Sequence, residues 1–146
     1  MSIWFREPNL EFLNSLSADT MLDMLGIQFT KVGEDFIEAK MPVDHRTHQP
    51  FGILHGGASV VLAESLGSTG ATLCVDAESY FCVGQEINAN HIRPVRHGDV
   101  IGRAEPVHIG RRSQVWNIRI EDERERLVCV SRLTLAVLAR DDASGT

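Results

Sequence analysis

The chain has 146 residues, of which 43% are hydrophobic and 23% charged, with a formal net charge of −6 (14 basic against 20 acidic residues). A chain of this length makes one domain, 1–146, that buries roughly 68–70% of its unfolded surface, so its core needs neither disulfides nor metal. The composition excludes disorder, collagen and coiled coil, and the acidic balance opposes a nucleic-acid role while leaving room for a local basic patch.

In chain order, Asn9 is placed to cap a short helix with Leu10, Leu13 and Leu16 on one side. Asp19 is placed to cap a second over 20–25, and Gly26 to stop it. Strand patterns at 27–32 and 36–41 flank a Gly33-Glu34-Asp35 turn. Residues 42–54 form a long loop broken by Pro42, Pro50 and Gly52, and loops of such length are often functional. From 56 to 75, Ala, Leu and Ser dominate without proline. That predicts one helix of about five turns, apolar around most of its circumference and therefore buried and central.

The rest is strand-like: 80–92, 99–108, 113–121 and 127–138. Turns fall at Arg96-His97-Gly98, Ile109-Gly110-Arg111 and 122–125. Trp116, Ile118 and Ile120 alternate with Asn117, Arg119 and Glu121, the period of a strand. The tail, 141–146, is polar and expected to fray. This order predicts an α+β fold, an antiparallel sheet packed on one helix, with a face or edge left for self-association.

The three cysteines, Cys74, Cys82 and Cys129, fit no CxxC pattern and read as reduced, buried thiols. The first twelve residues lack the pattern of a secretory signal. The stretch 56–75 carries Glu64, four glycines and several hydroxyls, too polar for a membrane span. A soluble, cytoplasmic protein is expected.

Glu64 is the most informative residue, the one charged side chain between His55 and Asp76. Burying a carboxylate without a partner is costly, so it either faces a crevice, pairs across an interface, or is kept as nucleophile or general base. Ser68, one turn on, shares its face. His55-Gly56-Gly57 opens the helix, where backbone N–H groups and the helix dipole favour a developing oxyanion. A glycine pair also commonly just starts a helix after a turn.

His45, His48 and His55 invite a metal reading, but no HExxH or carboxylate–histidine spacing accompanies them. Serine-hydrolase, P-loop and Rossmann motifs are absent from the sequence. Basic residues gather at His91-Ile-Arg93 and at His108-Ile-Gly110-Arg111-Arg112, where they either bind phosphates or are solvated turn charges.

The run from Gln49 through His55-Gly56-Gly57 to Glu64-Ser65, with Met41–Asp44, Glu86–His91 and Val115-Trp116, resembles the PaaI-like group of hotdog-fold acyl-CoA thioesterases. Within that group it is most similar to the 1,4-dihydroxy-2-naphthoyl-CoA hydrolase and enterobactin-proofreading branches. The resemblance implies a helix wrapped by an antiparallel sheet, active sites at a dimer interface, and a homotetramer built as a dimer of dimers. It implies Glu64 as catalytic carboxylate, Gly56 as the amide polarising the thioester carbonyl, and His55, Gln49 and Ser68 as assisting groups. His91, Arg93, His108, Gly110 and Arg111 fall where the group contacts CoA, which is part of the substrate; no cofactor is implied. Phe51, Leu54 and Val60 are expected to line the acyl pocket. A quinone (menaquinone) pathway follows from the resemblance alone. The alternatives are a hydratase or dehydratase on the same fold, or a non-catalytic acyl-CoA binder.

Overall fold

The computed structural model describes residues 1–141. Its elements are α1 (Leu10–Ser15), α2 (Met21–Leu25), β1 (Gln28–Val32), β2 (Ile37–Pro42), α3 (Gly56–Leu73), β3 (Tyr80–His91), β4 (Asp99–Ile109), β5 (Ser113–Asp122) and β6 (Leu127–Ala139). Six strands form one antiparallel sheet in the order β1-β2-β4-β5-β6-β3. One helix lies against it, the α+β arrangement the strand periods imply. β3 follows α3 directly yet pairs with β6 at the far edge, and β4 returns to the middle of the sheet beside β2.

The sheet is built by alternation. In β5, Gln114, Trp116, Ile118 and Ile120 are buried while Asn117 and Arg119 face water, so a slip of one residue would expose the core. The helix side is made of small residues. Ala58, Ala63, Gly67, Gly70 and Ala71 are among the buried positions of α3. A Cβ on Gly70 would stand 2.8 Å from the Trp116 ring, and one on Gly67 would stand 2.7 Å from Leu133. The helix axis therefore approaches the sheet as closely as bare backbone allows.

Trp116 is fully buried, and its indole N–H donates to Gln114 Oε1 at 2.9 Å. The Gln114 amide in turn donates to the Ala71 carbonyl at 3.2 Å, so the polar atoms of this pair are satisfied inside the core. Trp4 stacks on Trp116 with ring centroids 6.3 Å apart, and its own N–H donates to Gly33 O. The N-terminal segment thus closes one end of the core.

Several expectations need correction. First, α3 is not buried all round: Val60, Val61, Glu64, Ser65, Ser68 and Thr69 are half-buried, because the sheet covers one side of the helix only. Second, Asp19 does not cap α2; it sits at φ 59° and Thr20 occupies the N-cap. Third, Leu16 is 59% exposed instead of packing with Leu10 and Leu13. Asn9 does cap α1, accepting from Phe12 N–H at 2.9 Å, and Gly26 ends α2 at φ 72°. The helix at 56–75 ends earlier, at Leu73. Cys129 is buried, whereas Cys74 and Cys82 are half-buried; all three are free thiols. Burial pushes the Cys74 thiol up to about 12, which leaves it unreactive at neutral pH. No described helix is long and apolar enough to cross a membrane. The expected fraying of the tail concerns 142–146, which lie outside the described residues.

Gly70→Val inserts a branched side chain into the Trp116 contact and is expected to cost about 1–3 kcal/mol. Guanidinium unfolding of wild type and variant reads this; equal midpoints and slopes would show that the contact is slack.

Candidate active site

Two places on α3 bear the chemistry. At its first turn, backbone N–H groups lack intrahelical acceptors by the geometry of any helix. The His55 N-cap accepts from Gly57 N–H through Nδ1 at 2.8 Å, which puts the ring proton on Nε2. No acceptor among the described residues meets the Gly56 N–H. The imidazole of His91, from the end of β3, lies against Gly56: a Cβ there would stand 2.6 Å from His91 Nε2. Gly56 is therefore the residue that lets a ligand atom and the His91 ring share this corner. Gly56, Ser59, His91 and Arg93 line a cavity of about 230 Å³ that also includes Leu54.

The loop before α3 is tied down by short polar contacts. Asp44 pairs with Arg46 at 2.7 Å, and that guanidinium holds its carboxyl down at about 2. The Thr47 hydroxyl donates to Pro42 O at 2.7 Å, and His55 N–H donates to Thr47 O at 2.8 Å. Gln49 closes a tight turn, its Oε1 accepting from Phe51 N–H, while its amide donors have no acceptor among the described residues. Its loop leads straight into the helix start, which puts Gln49 at the same end as His55 and Gly56. His48 bonds to Arg96 O at 2.9 Å, and His45 is exposed beside Asp44. Among the described residues, no group of three or more His, Cys, Asp or Glu side chains gathers as a metal site would need.

Glu64 is the second place. It lies on the half-buried stripe of α3, with Ser68 one turn on. Among the described residues no donor or cation is bonded to it, so no ion pair within the chain explains the carboxylate. Its Oε1 rests against Gly84 of β3, where any Cβ would overlap it. Gly84 sits beside a bulge, since the pairing with β6 shifts register between Gly84 and Glu86. The sequence reading missed Gly84. Its signal was there: an isolated glycine within a strand pattern marks a bulge or a close approach.

The chain does not bring all the predicted residues together. Gly56 and Glu64 are eight residues apart on one helix, which at 1.5 Å per residue separates them by about 12 Å. A carbonyl placed about 3 Å from a Gly56 donor lies near the helix start, whereas the Glu64 carboxylate rests over Gly84 two turns further along. The basic residues divide likewise. His91 pairs with Cys129, while Val137 N–H bonds to Arg112 O beside the turn bearing His108, Gly110 and Arg111. Eight residues of β6 at about 3.3 Å each put the two groups at opposite ends of the sheet, about 26 Å apart. Phe51, expected in an acyl pocket, is 84% exposed at the loop tip. A larger cavity lies elsewhere, between α1 and the half-buried stripe of α3.

The family model of the thioesterase superfamily matches residues 51–129. The chain is 55% identical over 136 residues to the 1,4-dihydroxy-2-naphthoyl-CoA hydrolase of Escherichia coli, covering 93% of this chain and 99% of that protein. It is 52% identical over 136 residues to the proofreading thioesterase EntH of Cronobacter sakazakii, covering 93% and 98%. Among solved structures, thioesterase HI1161 of Haemophilus influenzae superposes with a TM-score of 0.91 at 53% identity, over 94% of this chain and 95% of that one. A mutant of thioesterase PA1618 from Pseudomonas aeruginosa gives 0.94 at 50% identity, over 94% and 99%. The sheet and helix described above are thus the hotdog fold.

Gly84→Ala is expected to leave the fold intact, because the added Cβ overlaps only the end of the flexible Glu64 side chain, and to drive that carboxylate to another rotamer. A crystal structure of the variant with Glu64 unmoved would contradict the contact.

Proposed function

The chain belongs to the thioesterase superfamily and is a thioester hydrolase, and we propose that it cleaves aryl acyl-CoA thioesters in a site shared by two copies of itself. The observation that carries this reading is Glu64, a half-buried carboxylate with no partner among the described residues, held over Gly84 on a residue about 12 Å along the helix from its start. A helix laid antiparallel beside its symmetry mate would set Glu64 of one copy next to Gly56 of the other.

The sheet supplies the means. β3 is a twelve-residue edge strand with one side unpaired, a form that proteins normally cover. Pairing it antiparallel with its counterpart about a two-fold axis makes an isologous interface. The His91 end of one β3 then lies beside the Tyr80 end of the other. That brings His91 and Arg93 of one copy towards His108, Gly110 and Arg111 of its mate, and these residues would hold the CoA portion. The resemblance adds a tetramer, a further pairing of such dimers.

In the shared site the thioester oxygen accepts from Gly56 N–H, with the Gln49 amide and the His55 Nε2–H as further donors. These groups strengthen as negative charge develops on the oxygen. Glu64 then acts by one of two routes. It attacks the carbonyl carbon and expels the CoA thiolate, leaving an acyl–glutamyl anhydride that water opens. Alternatively it takes a proton from a water that attacks the same carbon, and the thiolate leaves directly. Ser68 is placed to hold the water in either route. Both routes release one carboxylic acid and one CoA thiol per water consumed.

The aryl preference, with 1,4-dihydroxy-2-naphthoyl-CoA and a quinone pathway as the specific case, draws support from the similarity to the E. coli hydrolase. A CoA thioester substrate accords with a cytoplasmic setting. Thiol release from a panel of aryl- and alkyl-CoA thioesters tests the reading. Glu64→Ala and Glu64→Gln are expected to lose about 10²–10⁴-fold in kcat while remaining folded. Gly84→Ala is expected to lose on the order of 10²-fold in kcat with little change in KM, as a misplaced carboxylate would. Wild-type turnover in folded Glu64→Ala protein would remove this mechanism.

A further inference from the structure

The α3 stripe that carries Glu64 and Ser68 continues into a cavity of about 640 Å³ whose opposite wall is the N-terminal helix pair. Its size lies within the range, roughly 300–1,000 Å³, of pockets that enclose small ligands. Phe12, Leu13, Leu16, Leu22, Phe29 and Leu73 make its apolar lining. Phe12 and Leu16 are each 59% exposed, apolar side chains held open on the wall with nothing of the chain packed over them. Ser68 belongs to this cavity as well as to the Glu64 row, so its mouth lies one helical turn from the carboxylate.

The polar groups around the cavity are mostly committed. Arg6 pairs with Glu78 at 3.2 Å and Asp76 at 3.9 Å. The Asn9 carboxamide oxygen accepts from Phe12 N–H, and the Thr72 hydroxyl donates to Ser68 O. Glu7 adds a negative charge to the lining that opposes a second carboxylate. Among the described residues the Ser68 and Thr69 hydroxyls have no partner and stand on the α3 wall towards the carboxylate, and the Ser17 hydroxyl on the N-terminal side has none either. The ligand that fits is uncharged and mostly apolar, its polar groups meeting Ser68 and Thr69 at one end and the Ser17 hydroxyl on the facing side.

We propose that this cavity takes the acyl part of the thioester, and that Phe12 and Leu16 of the N-terminal helix segment determine which acyl groups are accepted. The proposal rests on the hydrolase reading for its substrate. It adds to acyl selection a helix that the sequence pattern presents only as part of the core.

The test compares wild type, Phe12→Ala and Leu16→Trp. Both side chains are exposed, so folding is expected to persist, as circular dichroism would verify. The quantity read is the ratio of kcat/KM for naphthoyl- and decanoyl-CoA to that for propionyl-CoA. Leu16→Trp fills the cavity and is expected to lower the ratio about tenfold or more, since even one methylene in a hydrophobic pocket is worth about that much. Phe12→Ala opens the wall and is expected to shift the preferred alkanoyl chain to greater length. Ratios and preferred length equal to wild type in both folded variants would overturn the proposal. In parallel, binding of non-cleavable thioether analogues with the same acyl groups is measured by calorimetry. If wild type releases no thiol from any substrate, the hydrolase reading fails, and the affinity ratios still decide this one. Dependence on Phe12 and Leu16 upholds the cavity as the acyl site, and independence overturns it.

Discussion

A hydrogen-bond donor at the first turn of α3 and a carboxylate two turns further along are separated by the rise of the helix itself, about 12 Å over eight residues. The Glu64 side chain, leaning toward the helix start, closes only part of that distance. The donor is backbone, and the carboxylate is seated over Gly84. Everything else about the site follows from this spacing. The half-buried stripe, the uncovered edge of β3 and the division of basic residues between two ends of the sheet are all features of half a site. In the proposed dimer, an antiparallel mate would supply the other half to each.

The packing that enforces the geometry is on the opposite side of α3. Small residues let the helix sink onto the sheet until Gly67 and Gly70 touch Leu133 and Trp116. A helix seated so closely has a fixed rotation, which determines which side chains look away from the sheet. Glu64 and Ser68 are among them. The charge avoids the core, and its place is nevertheless set by core packing, a combination that a loop residue would not have. On the strand side, Gly84 and the neighbouring bulge provide the space the carboxylate occupies.

Much of this was legible in the sequence, and the reasons for the remainder are specific. The strand alternation of β5 and the proline-free run of α3 stated their own periods, and Glu64 stood out as a lone charge on an apolar helix. The face of α3 that carries it was not legible, because Ala, Leu, Gly and Ser surround the helix nearly evenly. Strand order was not legible either: alternation says which face of a strand is buried, not which strand lies beside it, so the position of β3 at the far edge came only with the structure. Asp19 resembled a cap by residue type, but its left-handed φ of 59° leaves that role to Thr20. Leu16 read as one apolar side of a short helix with Leu10 and Leu13, and Phe12 did not stand out at all; only the fold shows both facing a cavity. The distance between Gly56 and Glu64 was implicit in the sequence once the helix was assigned, and it argues for a shared site independently of any resemblance.

The most direct test of the shared site mixes two inactive variants. Glu64→Ala and Gln49→Ala proteins are each assayed alone for thiol release, then unfolded together in equal amounts, refolded and assayed again. In a dimer containing one of each, one of the two sites has lost both groups and the other retains both. Activity is therefore expected to rise to about a quarter of the wild-type value, half of the dimers being mixed and half of their sites intact. Activity no greater than the average of the two separate variants, with mixed dimers present, would place Glu64 and Gln49 in the same chain's site and contradict the account.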